Sequence, residues 1–338
     1  MRFLTLLSLL FFTLLLAENK YYFTDEQSLK NHYFTKISPA FYKAKLQTFY
    51  TKENYKIAYK VFPVKKSKAT IVISSGRTEG MVKYQELIYD FNQNGYSVYI
   101  LDHRGQGYSQ RLLKDTQIGH IRDFENYVCD LKYFVDKVVS KERPRVLLAH
   151  SMGGTIASLY VEQYGHDFDA LVLSSPMHQP AMLLDSLSPM ICSIIQNHSK
   201  NFEKYMIGMH SYDETKHDFK NNLYTHSQIR YDIMRDAYER EPQTKIGGAS
   251  VGWVAEACKW SKISVDNADK IKIPTLLLQA QNDRVVTDEA QREFCNNAGK
   301  YCHLEVIEGA AHEIFIEKDE QRNRALRKIV EFLTKTLH

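Results

Sequence analysis

A serine at a sharp strand-to-helix turn can act as a nucleophile, and Val146-Leu147-Leu148-Ala149-His150-Ser151-Met152-Gly153-Gly154-Thr155 reads as such a turn. It follows the G-x-S-x-G pattern with Ala149 at the first glycine position. Small residues two places before and after the serine let the strained turn close, and the hydroxyl then stands at a helix N-terminus, where negative charge is favoured. A hydroxyl is a weak nucleophile until a base takes its proton, and the base needs an acid that fixes its tautomer. In folds built around this turn the chain order is Ser, then Asp or Glu, then His. Asp283 follows the apolar run Leu276-Leu277-Leu278-Gln279-Ala280, and His312 follows Leu304-Glu305-Val306-Ile307 and a small-residue loop. Glu308 and Glu313 fit the acid's place less well, because they lie beside His312 rather than at the preceding strand end. Taken singly, Ser151 could be a helix cap, Asp283 a loop carboxylate and His312 a packing residue. Taken in this order, each beyond a predicted strand, they spell acyl transfer with Ser151, Asp283 and His312 as the catalytic trio.

Acyl transfer also needs donors for the oxyanion. The N–H of Met152, next after the nucleophile, is one expected donor. The other should come from the loop after an earlier strand, here Ser75-Gly76-Arg77-Thr78-Glu79, which makes the N–H of Arg77 the second. The Arg77 side chain carries no assigned role and can be a surface charge.

These residues need strands to carry them. Short runs rich in Val, Ile and Leu occur at Ala69–Ser74, Tyr96–Leu101, Arg145–Ala149, Ala170–Leu173, Pro274–Gln279 and His303–Ile307, as expected for strands buried on both faces. Between them, Phe124, Tyr127, Leu131, Phe134 and Val138 recur at helical spacing, and so do Leu326, Ile329, Leu333 and Leu337. Alternation of this kind predicts an α/β fold with a mostly parallel sheet and helices on both faces. Leu46–Thr51 and Tyr55–Phe62 flank a turn and predict a hairpin. No strand is expected between Ser174 and Ile273, where helices are predicted around Met182–Asn197, Gln228–Glu241 and Ser250–Ser261. The resulting plan is an N-terminal extension over 18–45, a core over 46–180 and 267–338, and a helical cap over 181–266.

Residues 1–17 place Arg2 before an uncharged apolar run from Phe3 to Ala17. The run matches a signal peptide and is short for a membrane-spanning helix. The expected location is exported, periplasmic or membrane-associated, with a retained anchor through 3–17 as the alternative. Residues 18–68 hold eleven lysines against four acids, an excess that suits an anionic lipid surface or merely a solvated face. The whole chain, with 44 basic and 40 acidic residues and 25% charged, is too balanced to favour nucleic acid. Five cysteines in 338 residues exclude a disulfide scaffold. Cys295 and Cys302 flank a short loop and are either a disulfide or two thiols, whereas Cys129, Cys192 and Cys258 are expected to be packing residues. Gly105-Gln106-Gly107-Tyr108-Ser109-Gln110 lacks the third glycine of a dinucleotide site, and His312-Glu313-Ile314-Phe315-Ile316 lacks the second histidine of a zinc protease.

Beyond the serine turn, Ile71-Val72-Ile73-Ser74-Ser75-Gly76-Arg77-Thr78-Glu79, Leu101-Asp102-His103-Arg104-Gly105-Gln106-Gly107-Tyr108-Ser109 and Arg111-Leu112-Leu113 carry a resemblance, as do Thr225-His226-Ser227 with Arg230-Tyr231, Gly247-Gly248 and Trp253-Val254. Over about residues 40–338 the chain resembles the monoglyceride-lipase and serine-aminopeptidase branch of the α/β-hydrolase superfamily, and within it the bacterial inner-membrane lysophospholipases. The resemblance implies an ester hydrolase that takes a lysophospholipid or other monoacyl lipid as substrate, with no metal or organic cofactor. The alternatives are a monoacylglycerol lipase, a general carboxylesterase, or a non-catalytic lipid-binding module on the same fold. An aminopeptidase shares the branch, and Ser151 disfavours an epoxide hydrolase or dehalogenase, which would carry an aspartate there.

Overall fold

Eight strands form one sheet in the order β1-β2-β4-β3-β5-β6-β7-β8. The computed structural model describes residues 21–337 except 143, 182–187, 199–201 and 217; the leader-like segment over 1–17 lies outside the described residues. The strands are β1 (Gln47–Tyr50), β2 (Lys56–Phe62), β3 (Thr70–Ser74), β4 (Ser97–Leu101), β5 (Arg145–His150), β6 (Ala170–Ser174), β7 (Thr275–Ala280) and β8 (Cys302–Ile307). β1 and β2 are the predicted antiparallel hairpin, and β2 runs antiparallel to β4. Every other pairing is parallel.

The central strands are apolar throughout because both faces are covered. Ile71, Ile73, Val146, Leu148, Leu276 and Leu278 point into one layer. Val72, Leu147, Leu171, Leu173 and Leu277 point into the other, as the two-residue period of a strand requires. The main helices, in chain order, are α1 (Glu26–His32), α2 (Ser38–Lys43), α3 (Gln85–Gln93), α4 (Glu125–Lys137), α5 (Met152–Tyr164), α6 (Ser188–His198), α7 (Gln228–Arg240), α8 (Val251–Asp266), α9 (Asp288–Ala298) and α10 (Asp319–Thr336). α3 and α10 bring Leu87, Phe91, Leu326 and Ile329 to the first layer. α4, α5, α8 and α9 bring Phe134, Ile156, Ala257 and Phe294 to the second.

The extension before β1 is folded against this core. Asp25 caps α1 by accepting from the Ser28 N–H at 2.5 Å. A single π turn (Tyr33–Ile37) joins α1 to α2. Leu29, Tyr33, Ile37 and Phe41, four residues apart, are all buried.

Between β6 and β7 the chain leaves the sheet and builds α6, α7 and α8. Among its fastenings are a buried arginine that reaches the core and a disulfide within the insert. Arg230 on α7 is buried and meets Glu86 of α3 at 3.0 Å and Asp319 of α10 at 2.7 Å. Cys192 of α6 is bonded to Cys258 of α8. That disulfide corrects the expectation of two packing thiols: a separation of 66 residues leaves no spacing signal in the sequence. Cys129 also departs from expectation and is exposed, because Val128 and Leu131 occupy the buried face of α4 and one step around the helix turns outward. Cys295 and Cys302, left open by the sequence, are bonded and link α9 to the start of β8.

Candidate active site

β5 delivers Ser151 to the carboxyl edge of the sheet, and α5 begins at the next residue. Ser151 takes φ 51° and ψ −120°, a conformation that side chains adopt only under constraint. The constraint is packing behind the turn. A Cβ on Gly153 would stand 2.1 Å from the Ser74 carbonyl oxygen, and one on Gly154 would stand 2.5 Å from Pro176 Cβ. Only glycine lets α5 approach β3 and the chain after β6 this closely.

Asp283 lies just beyond β7 and His312 beyond β8. The structure brings both to the serine. His312 Nε2 is 2.9 Å from Ser151 Oγ, and His312 Nδ1 is 2.7 Å from Asp283 Oδ2. The other Asp283 oxygen accepts from the N–H groups of Val285 and Val286 at 2.8 and 3.1 Å, which fixes the carboxylate plane. All of this is sequestered: the His312 and Asp283 side chains are 3% and 4% exposed.

The two expected oxyanion donors, the N–H groups of Met152 and Arg77, lie on the turn after β5 and on the loop after β3. Met152 is the first residue of α5, so its N–H has no acceptor within the helix. Arg77 sits in the loop after β3, between two pinned neighbours. Gly76 donates its N–H to Glu79 Oε2 at 2.6 Å, and Thr78 donates to Gln106 Oε1 at 3.2 Å. Gln106 Nε2 in turn donates to the carbonyls of Gly76 and Glu79 at 2.7 and 2.8 Å. The glycine-rich stretch set aside as a defective dinucleotide motif therefore braces this loop. Its neighbour Asp102 accepts from the Met81 and Tyr108 N–H groups at 2.6 and 2.7 Å. Burial drives Asp102 up to about 7 despite those bonds. A Cβ on Gly107 would stand 2.2 Å from Asp102 Cγ, which explains the glycine.

Sequence reasoning missed a buried charge cluster under the site. Lys83 bridges Glu79 and Glu313, and His150 Nε2 lies 3.0 Å from Glu313 Oε2. The His150 ring centroid is 4.9 Å from that of His312. Burial alone would lower His150, but the Glu313 and Glu79 carboxylates outweigh it and the net shift is upward. Burial alone would raise Glu313, yet His150 and Lys83 hold it well below the usual carboxylate range. Glu79, His150 and Glu313 present ligand atoms within 4.8 Å of one another. The Lys83 ammonium already bridges the two carboxylates, so the donor set does not suit a metal ion.

Above Ser151 and His312 opens a cavity of about 400 Å³. Met177, Leu223, Met234, Trp253 and Val254 supply apolar wall, most of it from the insert. Arg77 and Arg284 reach the same space.

Residues 65–319 match the family model described as serine aminopeptidase, S33. Lysophospholipase L2 of Escherichia coli strain K12 is 37% identical over 274 residues, covering 78% of this chain and 80% of that protein. A probable lysophospholipase L2 of Haemophilus influenzae is 33% identical over 301 residues, covering 88% and 94%. A soluble variant of monoglyceride lipase from Saccharomyces cerevisiae, solved with a substrate analogue, superposes with a TM-score of 0.70 at 19% identity over 87% of this chain and 95% of that one. The extent of the sequence match and the eight-stranded sheet agree: this chain belongs to the serine aminopeptidase S33 family of α/β-hydrolases.

Proposed function

We propose that this protein is a serine hydrolase that removes the single acyl chain from lysophospholipids. The observation that carries the reading is the 2.9 Å contact between His312 Nε2 and Ser151 Oγ on the floor of a mostly apolar cavity. Its substrate class rests on the relatives named lysophospholipase L2, which match at 33–37% identity over most of the chain.

In this mechanism His312 takes the Ser151 proton as Oγ attacks the ester carbonyl. Asp283 holds His312 in the tautomer that presents Nε2 as acceptor, then offsets the imidazolium charge. The N–H groups of Met152 and Arg77 receive the tetrahedral oxyanion. The glycerophospho-alcohol leaves with the proton from His312, and water then releases the fatty acid from the acyl-enzyme by the same steps reversed. The insert acts as a cap whose apolar wall takes the acyl chain, where each buried methylene contributes about 0.8 kcal/mol. No step draws on a metal or an organic cofactor.

The same reading places the enzyme where its substrate is. The apolar run over 3–17 serves as an export signal or anchor, and the lysine excess over 18–68 favours an anionic lipid surface. No helix among the described residues is long and apolar enough to cross a membrane.

A substrate panel tests the proposal. Wild type and Ser151→Ala are assayed side by side on lysophosphatidylethanolamine, a monoacylglycerol of the same chain length and a short p-nitrophenyl ester. The expected result is highest kcat/KM on the lysophospholipid and loss of all three activities in the variant. A preference for the monoacylglycerol would move the assignment to a monoacylglycerol lipase, and wild-type turnover by Ser151→Ala would overturn the mechanism.

A further inference from the structure

Most large buried guanidinium groups here meet a carboxylate. Arg104 reaches Asp130 at 2.6 Å, Arg230 reaches Glu86 at 3.0 Å, and Arg322 reaches Asp90 at 2.8 Å. Arg77 does not. Its guanidinium carbon lies 5.2 Å from the Trp253 ring centroid, in the wall of the cavity above Ser151. Its Nη1 is shielded from solvent and has no hydrogen-bond partner among the described residues. Burial pulls its value down, and only the Tyr224 and Tyr127 hydroxyls counter that pull. An arginine nonetheless stays charged. A partly shielded cation without an anion carries a desolvation cost, so the cavity wall presents a positive charge that a negatively charged group would offset.

The other charged groups around the cavity do not offset that charge. Glu79 and Glu313 are neutralised by Lys83 and His150. Asp283 is engaged by His312. Lys245 is held by Glu214 and Glu239 at 3.0 and 2.6 Å, and Arg235 is paired with Glu214. Arg284, exposed at the cavity mouth, has no carboxylate partner among the described residues, and it adds a second cation rather than an anion.

We propose that the Arg77 side chain binds the phosphodiester of the substrate head group and so selects phospholipid over neutral monoacyl ester. This rests on the lysophospholipase reading above and deepens it. The geometry is set by the backbone of the same residue. The Arg77 N–H receives the oxyanion, so the guanidinium starts from a point beside the reacting carbonyl. An arginine reaches roughly 7 Å from its backbone to its terminal nitrogens. The ester carbonyl carbon and the phosphorus of a lysophospholipid are joined through about six bonds, roughly 7 Å when extended. One residue thereby holds the two ends of the head-group side of the substrate, with the Trp253 ring beside the guanidinium and Nη1 left to donate to an anion.

The test compares wild type, Arg77→Met and Arg77→Lys on lysophosphatidylethanolamine and on a monoacylglycerol of equal chain length, reading the ratio of the two kcat/KM values. Labelling of Ser151 by a fluorophosphonate verifies that each variant keeps a competent site. Arg77→Met should lower the ratio about 30-fold or more, the effect of removing one partner of a shielded charge pair, and Arg77→Lys should recover part of it. A long-chain alkylphosphocholine should inhibit wild-type p-nitrophenyl-ester hydrolysis far better than it inhibits Arg77→Met, whereas inorganic phosphate should inhibit neither. An unchanged ratio, with both substrates losing equally, would assign the guanidinium to the oxyanion loop and overturn the proposal. Equal inhibition by inorganic phosphate would overturn the lipid as the ligand. If wild type cleaves the monoacylglycerol but neither cleaves the lysophospholipid nor binds the alkylphosphocholine, the substrate assignment itself falls. An unchanged ratio in an enzyme that does cleave lysophospholipid removes the role of Arg77 alone.

Discussion

Ser151 Oγ stands 2.9 Å from His312 Nε2 although 161 positions separate the two residues along the chain. Parallel strands make this possible: β5 and β8 end at the same edge of the sheet, so the loops that follow them meet. Ser151→Ala keeps the turn and removes only the hydroxyl. It should lower kcat about 10^4-fold or more while leaving the melting temperature close to that of wild type. Steady-state kinetics with a calorimetric scan checks both parts.

Asp283→Asn should retain substrate binding and lose kcat by roughly 10^3–10^4-fold. Asparagine can still accept from Val285 and Val286 on one side, but it offers an N–H toward His312 Nδ1 and so favours the wrong tautomer. The profile of kcat against pH is the measurement, and a variant within tenfold of wild type at every pH would contradict the role given to Asp283.

Gly153→Ala would normally favour a helix. Here the new Cβ meets the Ser74 carbonyl at 2.1 Å, so β3 and α5 must separate. The expected outcome is a loss of roughly 1–3 kcal/mol in stability, together with reduced kcat because the serine turn moves. Denaturant unfolding and p-nitrophenyl-ester turnover on the same preparation would show the two losses together.

The Cys192–Cys258 bond ties α6 to α8 within the insert. Oxidised, denatured protein should titrate one thiol, from Cys129, and fully reduced protein should titrate all five. The double substitution Cys192→Ala with Cys258→Ala should cost roughly 2–4 kcal/mol, read by urea unfolding.

His178 is buried, stacks on Phe294 at 3.9 Å and lies 3.1 Å from Ser158 Oγ. Burial pulls its value down to about 3. The folded protein therefore favours the neutral ring. This contribution is present above the unfolded value, about 6.5, and is lost as pH falls toward 3. His178→Gln should be less stable than wild type at pH 7.5, and the gap should narrow by about 1–3 kcal/mol by pH 4. Urea midpoints across that range test the sign.

Much of the sheet was legible because strands buried on both faces leave near-continuous runs of Val, Ile and Leu, as β3, β5 and β7 do. Ser151, Asp283 and His312 could be picked out because each follows such a run. The helices before β1 were passed over, although Leu29, Tyr33, Ile37 and Phe41 carry a regular four-residue spacing; the lysine-rich composition masked it. The cluster of Glu79, Lys83, His150 and Glu313 has no such trace. Its members come from three separate stretches of chain and meet only through the fold, and charged residues are ordinarily read as solvated. The Arg230 contacts with Glu86 and Asp319 were hidden for the same reason.

Covalent labelling with a long-chain fluorophosphonate reads directly whether His312 makes Ser151 nucleophilic. Wild type should gain one adduct, mapped by mass spectrometry to the peptide bearing Ser151, with a rate that falls at least about 10^3-fold in His312→Ala. Labelling at another residue, or an undiminished rate in His312→Ala, would contradict that activation.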